Sequence, residues 1–176
     1  MFPEEIPCSA FTLRLVRPED AAALLRFLNR PEVIEPTSSE GWTLESLRAF
    51  GEENLAGAVI GKWARYAIVP GNGMVVGSVG LFNVDSRNRR AEIGYDLSPD
   101  SWGQGWMTIA AGAVLDWAFG EGGFNRIEAT VMAGNQRSER VLEKLGFQRE
   151  GTMRQYKFVR GEFKDYSLWA RLARDG

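Results

Sequence analysis

A strand-like run leads into a glycine-containing loop and then into a helical pattern between residues 91 and 107. Gly103 and Gly105 lie in this loop, directly before the helical pattern. The N-terminus of a helix presents unpaired N–H groups and the positive end of the helix dipole. Because glycine has no side chain, a ligand can approach those N–H groups closely. The segment therefore predicts a site for an anion, and a pyrophosphate would suit it.

The loop differs from the common nucleotide-binding motifs. It lacks the Gly-Lys-Ser/Thr sequence of a nucleoside triphosphate loop, and Thr108 stands where a dinucleotide-binding loop has its third glycine. Taken by itself, the loop has an alternative interpretation, in which two glycines precede a helix and no ligand binds.

A second helix start, at residues 135–147, follows a predicted strand. Asn135 is suited to cap this helix, and Ser138 lies three residues later, within the first turn. Each residue also has a plain structural interpretation, Asn135 as a cap only and Ser138 as a polar residue facing solvent.

The apolar pattern places both segments in a mixed fold. Alternating apolar residues predict strands over about 11–17, 62–69, 74–84, 90–97, 126–131, 147–158 and 162–172. Helical spacing predicts helices over about 18–30, from Thr43 onward, over about 107–118 and over about 135–145. The order indicates an α+β fold in one domain, residues 1–176, with about four helices on a mixed, mostly antiparallel sheet of about seven strands.

The composition excludes several kinds of chemistry. The chain has no histidine, which excludes a Ser-His-Asp triad, a Cys-His dyad and a His-ligated metal, and we expect no metal. Cys8 is the single cysteine, so no intrachain disulfide can form, and a reducing cytoplasm fits best. The net charge of −2 argues against nucleic acid. No apolar run reaches the roughly 18 residues of a membrane helix, and residues 1–10 do not resemble a signal peptide.

The two segments contain the motifs Glu-Ile-Gly-Tyr followed by Trp-Gly-Gln-Gly-Trp, and later Asn-x-x-Ser-x-x-Val-Leu-Glu-Lys-Leu-Gly-Phe. Through these motifs the chain resembles, from about Leu13 to Leu172, the GNAT superfamily of acyl-CoA N-acyltransferases. Within the superfamily the chain is similar to the Rim-type branch, whose named members acetylate the N-termini of ribosomal proteins.

The resemblance implies a bound acyl-CoA, with acetyl-CoA as the default donor. The fourth and fifth predicted strands would splay apart into a cleft, where pantetheine would pair with the backbone near Asp96 and Leu97 as an added strand does. Asn135 would hydrogen-bond the pantetheine arm, and Ser138 is similar to a serine proposed to protonate the departing thiolate. The pyrophosphate would lie on N–H groups of the loop and the first helical turn, at Trp102, Gly103, Gln104, Gly105, Trp106, Met107 and Thr108.

Four positions depart from the family's usual pattern. Met107 stands where glycine or alanine is usual, so its side chain either crowds the phosphate or packs into the core. Trp102 replaces an arginine or glutamine, as in many Rim-type chains, and Ile109 replaces a glutamate that Rim-type chains often have. Lys157 aligns with a glutamate proposed as the base in the ribosomal-protein branch, which counts against a ribosomal substrate.

The implied reaction is direct attack of a neutral amine on the thioester in a ternary complex. The site must hold both reactants together. It must also stabilise the oxyanion, for which a backbone N–H near Tyr95 and Asp96 is the best candidate. In addition it must accept a proton from an ammonium whose solution pKa is about 8 to 10.

Glu92 is the first choice for the base. Its position resembles that of the catalytic glutamate of GNAT histone acetyltransferases, and strand alternation places it on one face with Gly94 and Asp96. The alternative role for Glu92 is an ion pair with Arg90 or Arg126. Asp96 and Tyr156 are weaker candidates for the base.

The acceptor pocket should come from the two N-terminal helices, the loop at residues 35–42 and the last hairpin. Trp42, Trp63 and Phe82 either contact substrate there or belong to the core. The acceptor is a protein N-terminus or a small amine such as an amino sugar, polyamine or antibiotic, and the acyl group is acetyl or a larger one such as succinyl. The rival function is an acyl-CoA-binding sensor or assembly module with little or no turnover. A homodimer is possible.

Overall fold

In the computed structural model, which describes residues 1–175, eight strands form one open sheet in the order β1-β2-β3-β4-β5-β6-β8-β7. The strands are β1 (Glu5–Ile6), β2 (Thr12–Leu15), β3 (Ala64–Val69), β4 (Gly77–Asp85), β5 (Arg90–Leu97), β6 (Arg126–Met132), β7 (Gln148–Val159) and β8 (Glu162–Leu172). The helices are α1 (Ala21–Leu28), α2 (Pro31–Ile34), α3 (Leu44–Val59), α4 (Trp106–Phe119) and α5 (Gln136–Lys144). The predicted mixed α/β class is confirmed, with eight strands instead of seven and five helices instead of four.

The two elements that sequence analysis missed are short. β1 has two residues and pairs antiparallel with β2, so it is too short to show an alternating pattern. α2 begins at Pro31, where we expected the chain to leave the helical conformation. A proline suits the first position of a helix because the N–H that it lacks would have no partner there.

The local sequence accounts for the longer helices. Thr43 Oγ1 accepts a hydrogen bond from the Ser46 N–H at 3.0 Å, and Ser46 Oγ accepts one from the Thr43 N–H at 2.9 Å. This reciprocal cap confirms Thr43 as the start of α3. α4 buries a stripe of small and branched residues in the main core against the sheet, at Ala110, Ala111, Val114, Leu115 and Ala118.

The strands β5 and β6 form the one parallel pair of the sheet in the described chain, and they separate after a few residues. Their register runs from Arg90 opposite Arg126 to Glu92 opposite Glu128 and then stops. Beyond Glu92, β5 remains paired with β4, and β6 remains paired with β8. The predicted splay is therefore present, and it opens the sheet between the C-terminal halves of the two strands. No helix within residues 1–175 is both long and apolar enough to cross a bilayer.

Candidate active site

Two cavities flank the point where β5 leaves β6. The first, the loop-side cavity, has a volume of about 290 Å³ and lies between the end of β5, the loop at 99–105, the first turn of α4, and α5. The second, the aromatic cavity, has a volume of about 510 Å³ and lies between α1, α3 and the strands β3 to β5. Thr37, Tyr95 and Asp96 line both cavities, so the two meet at the end of β5.

The loop before α4 adopts the conformation that its glycines allow. Gly103 and Gly105 have φ angles of 78° and 76°, in the left-handed region that residues with side chains rarely adopt. A Cβ at either glycine would meet no atom within 4 Å. Glycine is therefore required by the backbone angle and not by a lack of space. Gly105 is the N-cap of α4 and has no side chain to bond the first N–H groups of the helix. Those N–H groups therefore remain open to an anion at the loop-side cavity.

The predicted loop residues differ in how they contribute to the loop-side cavity. All of them except Gln104, which is exposed, line the loop-side cavity. The N–H of Trp102 already donates to the Pro99 carbonyl at 3.1 Å, and its indole Nε1 donates to the Leu97 carbonyl at 3.0 Å. Met107 is 6% exposed and belongs to the main core, so its side chain packs inward and does not fill the loop.

One wall of the loop-side cavity is basic. Arg137, Arg140 and Lys144 line it, and their spacing along α5 places them on one face of that helix. None of the three forms an ion pair with a carboxylate in residues 1–175. The Arg137 guanidinium lies over the Trp102 ring, 4.1 Å from its centroid, so α5 contacts the loop here. Sequence analysis missed this wall, although the spacing of three and then four residues between the cations was a usable signal.

Asn135 and Ser138 position the start of α5 against the neighbouring elements. Asn135 Oδ1 accepts a hydrogen bond from the Ser138 N–H at 3.2 Å, and its Nδ2 donates to the Pro36 carbonyl at 3.3 Å. Asn135 is thus a cap, and it also links α5 to the loop after α2. Ser138 lines the loop-side cavity and does not simply face solvent.

The Ser138 hydroxyl lies within hydrogen-bond distance of a tyrosine that sequence analysis did not select for this role. Ser138 Oγ and Tyr95 Oη are 2.8 Å apart, and Tyr95 also donates to the Ser138 carbonyl at 3.2 Å. Burial is the largest influence on Tyr95 and raises its pKa, the hydrogen bond to Ser138 lowers it by less, and the charge of Asp96 adds the smallest rise; together they bring the pKa to about 12. The tyrosine hydroxyl is therefore protonated at neutral pH.

The main chain of β5 offers hydrogen-bonding groups to the opening beside it. The Ser98 N–H donates to the Val76 carbonyl at 2.7 Å, next to β4. Because alternate residues of a strand direct their N–H and C=O groups to opposite sides, Asp96 faces β4, while Tyr95 and Leu97 face the opening. An extended ligand in the cleft would meet the backbone of Tyr95 and Leu97 and the cavity-lining side chain of Asp96.

The aromatic cavity contains the three aromatic residues that sequence analysis singled out. Trp42, Trp63 and Phe82 all line it, together with Phe50, and each is half-buried. The expected elements are also present, because α1, α3, the loop at 37–39 and β7 all contribute. Residues of β3, β4 and β5 line the cavity as well, among them Phe82, Gly94 and Asp96.

The charged groups of the aromatic cavity are Arg65, Asp96 and Lys157. Arg65 forms an ion pair with Asp96, and its Nε donates to the Ser78 hydroxyl at 3.0 Å. The Asp96 carboxylate is therefore already engaged by a guanidinium and does not stand free to meet an incoming amine. Gly94 makes room for this pair, because a Cβ there would lie 2.8 Å from the Phe82 ring and 3.1 Å from Arg65 Nη1.

Glu92 lies outside the lining of both cavities. Its Oε1 accepts a hydrogen bond from Thr130 Oγ1 at 2.7 Å, and its Oε2 accepts one from Asn83 Nδ2 at 3.0 Å. The alternative of an ion pair with Arg90 or Arg126 is wrong, because both arginines pair with other carboxylates. The role of Glu92 as a base stays a prediction.

The remaining candidate for the base, Tyr156, also lies outside both cavities. It is 49% exposed, and its ring centroid is 5.6 Å from that of Tyr166. Within residues 1–175 there is no group of three or more Cys, Asp or Glu side chains that could hold a metal ion.

Comparisons with known proteins agree with this geometry. A profile of the acetyltransferase (GNAT) domain family matches residues 10–148. The chain is 32% identical to the uncharacterized N-acetyltransferase p20 of Bacillus licheniformis over 98% of both chains. It is 29% identical to the ribosomal-protein-serine acetyltransferase of Escherichia coli (strain K12) over 56% of this chain and 55% of that one. Mycobacterium smegmatis RimJ, solved in complex with CoA-disulfide, has a TM-score of 0.85 and 30% identity, covering 99% of this chain and 91% of RimJ.

These similarities extend beyond the two motifs. The family profile spans most of the chain, and p20 aligns along nearly its whole length. The ribosomal-protein acetyltransferases among the relatives match the Rim-type branch that the motifs indicated. The chain therefore belongs to the acetyltransferase (GNAT) domain family and is an acyltransferase with Rim-type relatives.

Proposed function

We propose that the protein transfers an acetyl group from acetyl-CoA to a primary amine by direct attack within a ternary complex. The observation that carries the proposal is the meeting of two chemically different cavities at Tyr95 and Asp96. One cavity offers cations and open N–H groups to an anionic donor, and the other offers an apolar surface to an acceptor. A thioester at their junction would face both, which supplies the proximity that the reaction needs.

The donor would occupy the loop-side cavity. Its pyrophosphate would accept hydrogen bonds from the first N–H groups of α4, at Trp106, Met107 and Thr108, with Gly103 and Gly105 leaving the approach open. The basic wall of α5 would pair with the remaining phosphate charge. The pantetheine arm would run along the backbone of Tyr95 and Leu97, where the Leu97 carbonyl already accepts from the Trp102 indole, and would reach Asn135.

In the chemical step the amine nitrogen attacks the thioester carbon, and the carbon–sulfur bond then breaks. A backbone N–H of β5 that faces the opening, that of Tyr95, would stabilise the oxyanion. Ser138 would donate its proton to the departing sulfur and receive one from Tyr95, which solvent reprotonates. Because the pKa of Tyr95 is raised to about 12, the tyrosine holds that proton at neutral pH.

We retain Glu92 as the proposed base, acting through water. It shares a strand face with Gly94 and Asp96, which line the aromatic cavity, and two hydrogen bonds fix its carboxylate. A water between Glu92 and the cavity would carry the ammonium proton. The single cysteine and the acetyl-CoA donor fit a cytoplasmic location.

Isothermal titration of acetyl-CoA and dephospho-CoA into the purified protein tests the proposal. We expect acetyl-CoA to bind with a Kd on the order of 10 μM, and dephospho-CoA to bind more weakly because it lacks a phosphate for the basic wall. Thiol release should then depend on an added primary amine. Absence of acetyl-CoA binding would contradict the proposal, and tight binding without turnover on any amine would indicate the sensor or assembly role.

A further inference from the structure

The aromatic cavity has a continuous wall of rings. The ring centroids of Trp42 and Phe50 are 5.7 Å apart, and those of Phe50 and Trp63 are 5.4 Å apart. These are the distances of favourable aromatic pairs. Trp63 is packed directly against α3, because a Cβ at Gly57 would come within 2.5 Å of its indole Nε1. The half-buried rings are therefore held in place, and their remaining surface is available to a flat apolar ligand.

The charge of the aromatic cavity is positive. Among the described residues that line it, the one carboxylate is that of Asp96, which is paired with Arg65. Lys157 forms no ion pair in the described part of the chain, and its ammonium lies 5.6 Å and 5.2 Å from the ring centroids of Tyr156 and Tyr166. A polyamine would need unpaired carboxylates here, because a second cation beside Lys157 is repelled. The cavity instead suits a ligand with an anionic group.

The loop at 35–39 is held beside the aromatic cavity by three hydrogen bonds from one arginine, in addition to the bond from Asn135 to the Pro36 carbonyl. Arg160, in the turn between β7 and β8, donates to the Ser39 carbonyl at 2.9 Å and to the Glu35 and Thr37 carbonyls at 2.7 Å each. Thr37 and Ser39 line the cavity, so this tie holds one of its walls in place. A concave site of about 510 Å³ falls within the size range of small-molecule pockets.

We propose that the acceptor is an aliphatic primary amine that carries both an aromatic ring and a carboxylate. Its ring packs against Trp42, Phe50 and Trp63, its carboxylate pairs with the Lys157 ammonium, and its amine reaches the junction at Tyr95 and Asp96. This inference rests on the proposed transferase function, because it assigns the substrate class of the same site. It also gives Lys157 a role at the position where the Rim-type resemblance has a glutamate.

Matched acceptor pairs test the inference by thiol release from acetyl-CoA. Tryptophan against tryptamine, and 4-(aminomethyl)benzoate against benzylamine, differ only in a carboxylate, close to the amine in one pair and far from it in the other. We expect kcat/KM to favour the carboxylate member of at least one pair by about tenfold. Spermidine should be the poorest acceptor.

Variants of Lys157 test whether this residue causes the preference for a carboxylate. Lys157→Gln should bring the ratio within the preferred pair to about one, and Lys157→Glu should reverse it, since only the charge of the recognising group changes. The matched control is Lys164→Gln, because Lys164 lies opposite Lys157 in the β7–β8 register, pairs with Glu162, and does not line the cavity. It should keep the wild-type ratio.

Several outcomes would overturn the inference while leaving the transferase function intact. In the first, the wild-type protein prefers tryptamine and benzylamine to their carboxylate partners, or prefers spermidine to all of them. In the second, the preference for the carboxylate member persists in Lys157→Gln. If no amine is turned over, titration of the same four amines into the acetyl-CoA complex decides, and absence of tighter binding by the carboxylate members overturns the inference. Loss of acetyl-CoA binding itself would contradict the proposed function instead.

Discussion

The loop-side cavity and the aromatic cavity meet at Tyr95 but are built in different ways. The loop-side cavity takes most of its lining from two short stretches of chain, residues 95–108 and 135–144, and much of what it offers is backbone N–H groups and a row of cations. The aromatic cavity takes side chains from α1, α3, β3, β4, β5, β7 and the loop after α2.

The loop-side cavity therefore relies largely on backbone groups and on cations of a single helix, whereas the aromatic cavity relies on side chains from many elements. The N–H groups of the loop-side cavity are positioned by the chain conformation, so they can bind phosphate as long as no substituted side chain blocks or repels it. The acceptor side depends on which side chains seven separate elements supply, so single substitutions such as lysine for glutamate can change its preference. Changes on one side should therefore affect donor binding, and changes on the other should affect acceptor use.

The largest expected effect is on the donor side. Gly105→Glu places a carboxylate beside the N–H groups of α4 and should raise the Kd for acetyl-CoA by at least about 100-fold, or ~2.7 kcal/mol. Isothermal titration measures it. Gly73→Glu is the matched control, because Gly73 has the same φ of 76° and open space around it, but lies in the turn before β4. If Gly105→Glu and Gly73→Glu bound acetyl-CoA with similar affinity, the loop-side cavity would not be the donor site.

An intermediate effect is expected at the junction. Ser138→Ala and Tyr95→Phe should each lower kcat by about 30-fold, a value below the usual range for a general acid because a water can substitute in part. The Kd for acetyl-CoA should stay within about twofold. Because the two hydroxyls are hydrogen-bonded to each other, the double variant should be little worse than either single one. Multiplicative losses in stopped-flow assays would show that the hydroxyls act independently.

The raised pKa of Tyr95 at this junction also predicts how kcat/KM depends on pH. Because the pKa of Tyr95 is raised to about 12, its hydroxyl stays protonated as the pH rises through the range in which an acceptor amine loses its proton. The kcat/KM should therefore rise with pH and reach a plateau near the acceptor's pKa, with no descending limb below about pH 10. A descending limb at lower pH that disappears in Tyr95→Phe would show that the tyrosine ionises earlier.

The smallest effect is expected on the acceptor side. Gly94→Ala would push a methyl group against Phe82 and Arg65, so the KM for the acceptor should rise by about tenfold, or ~1.4 kcal/mol, with the Kd for acetyl-CoA unchanged. Steady-state kinetics with varied acceptor measure it. Gly151→Ala on β7 is the control, because a Cβ there meets no atom within 4 Å. A change in donor affinity without a change in acceptor KM would reverse the assignment of the two cavities.

The contiguous parts of the site could be predicted well from the sequence. The bounds of β5 and β8 were predicted as the structure has them, and the caps at Thr43 and Asn135 were recognised because a cap contacts residues only two or three positions away. The glycines of the loop were recognised for the same local reason. The short elements β1 and α2 were missed because two to four residues are too few to show a period.

The sequence alone therefore determined the mixed fold, the loop and helix start that can bind an anion, and the family to which the chain is similar, because these depend on neighbours along the chain. Only the tertiary structure decided that Tyr95 contacts Ser138, that Arg65 neutralises Asp96, and that Glu92 bonds Thr130 and Asn83. It also brought Lys157 to a ring-lined cavity with no unpaired carboxylate among its described lining residues. The hydrogen bonds and the ion pair among these contacts join residues 9 to 43 positions apart, and their partners are set by strand register and helix packing, which local sequence does not encode.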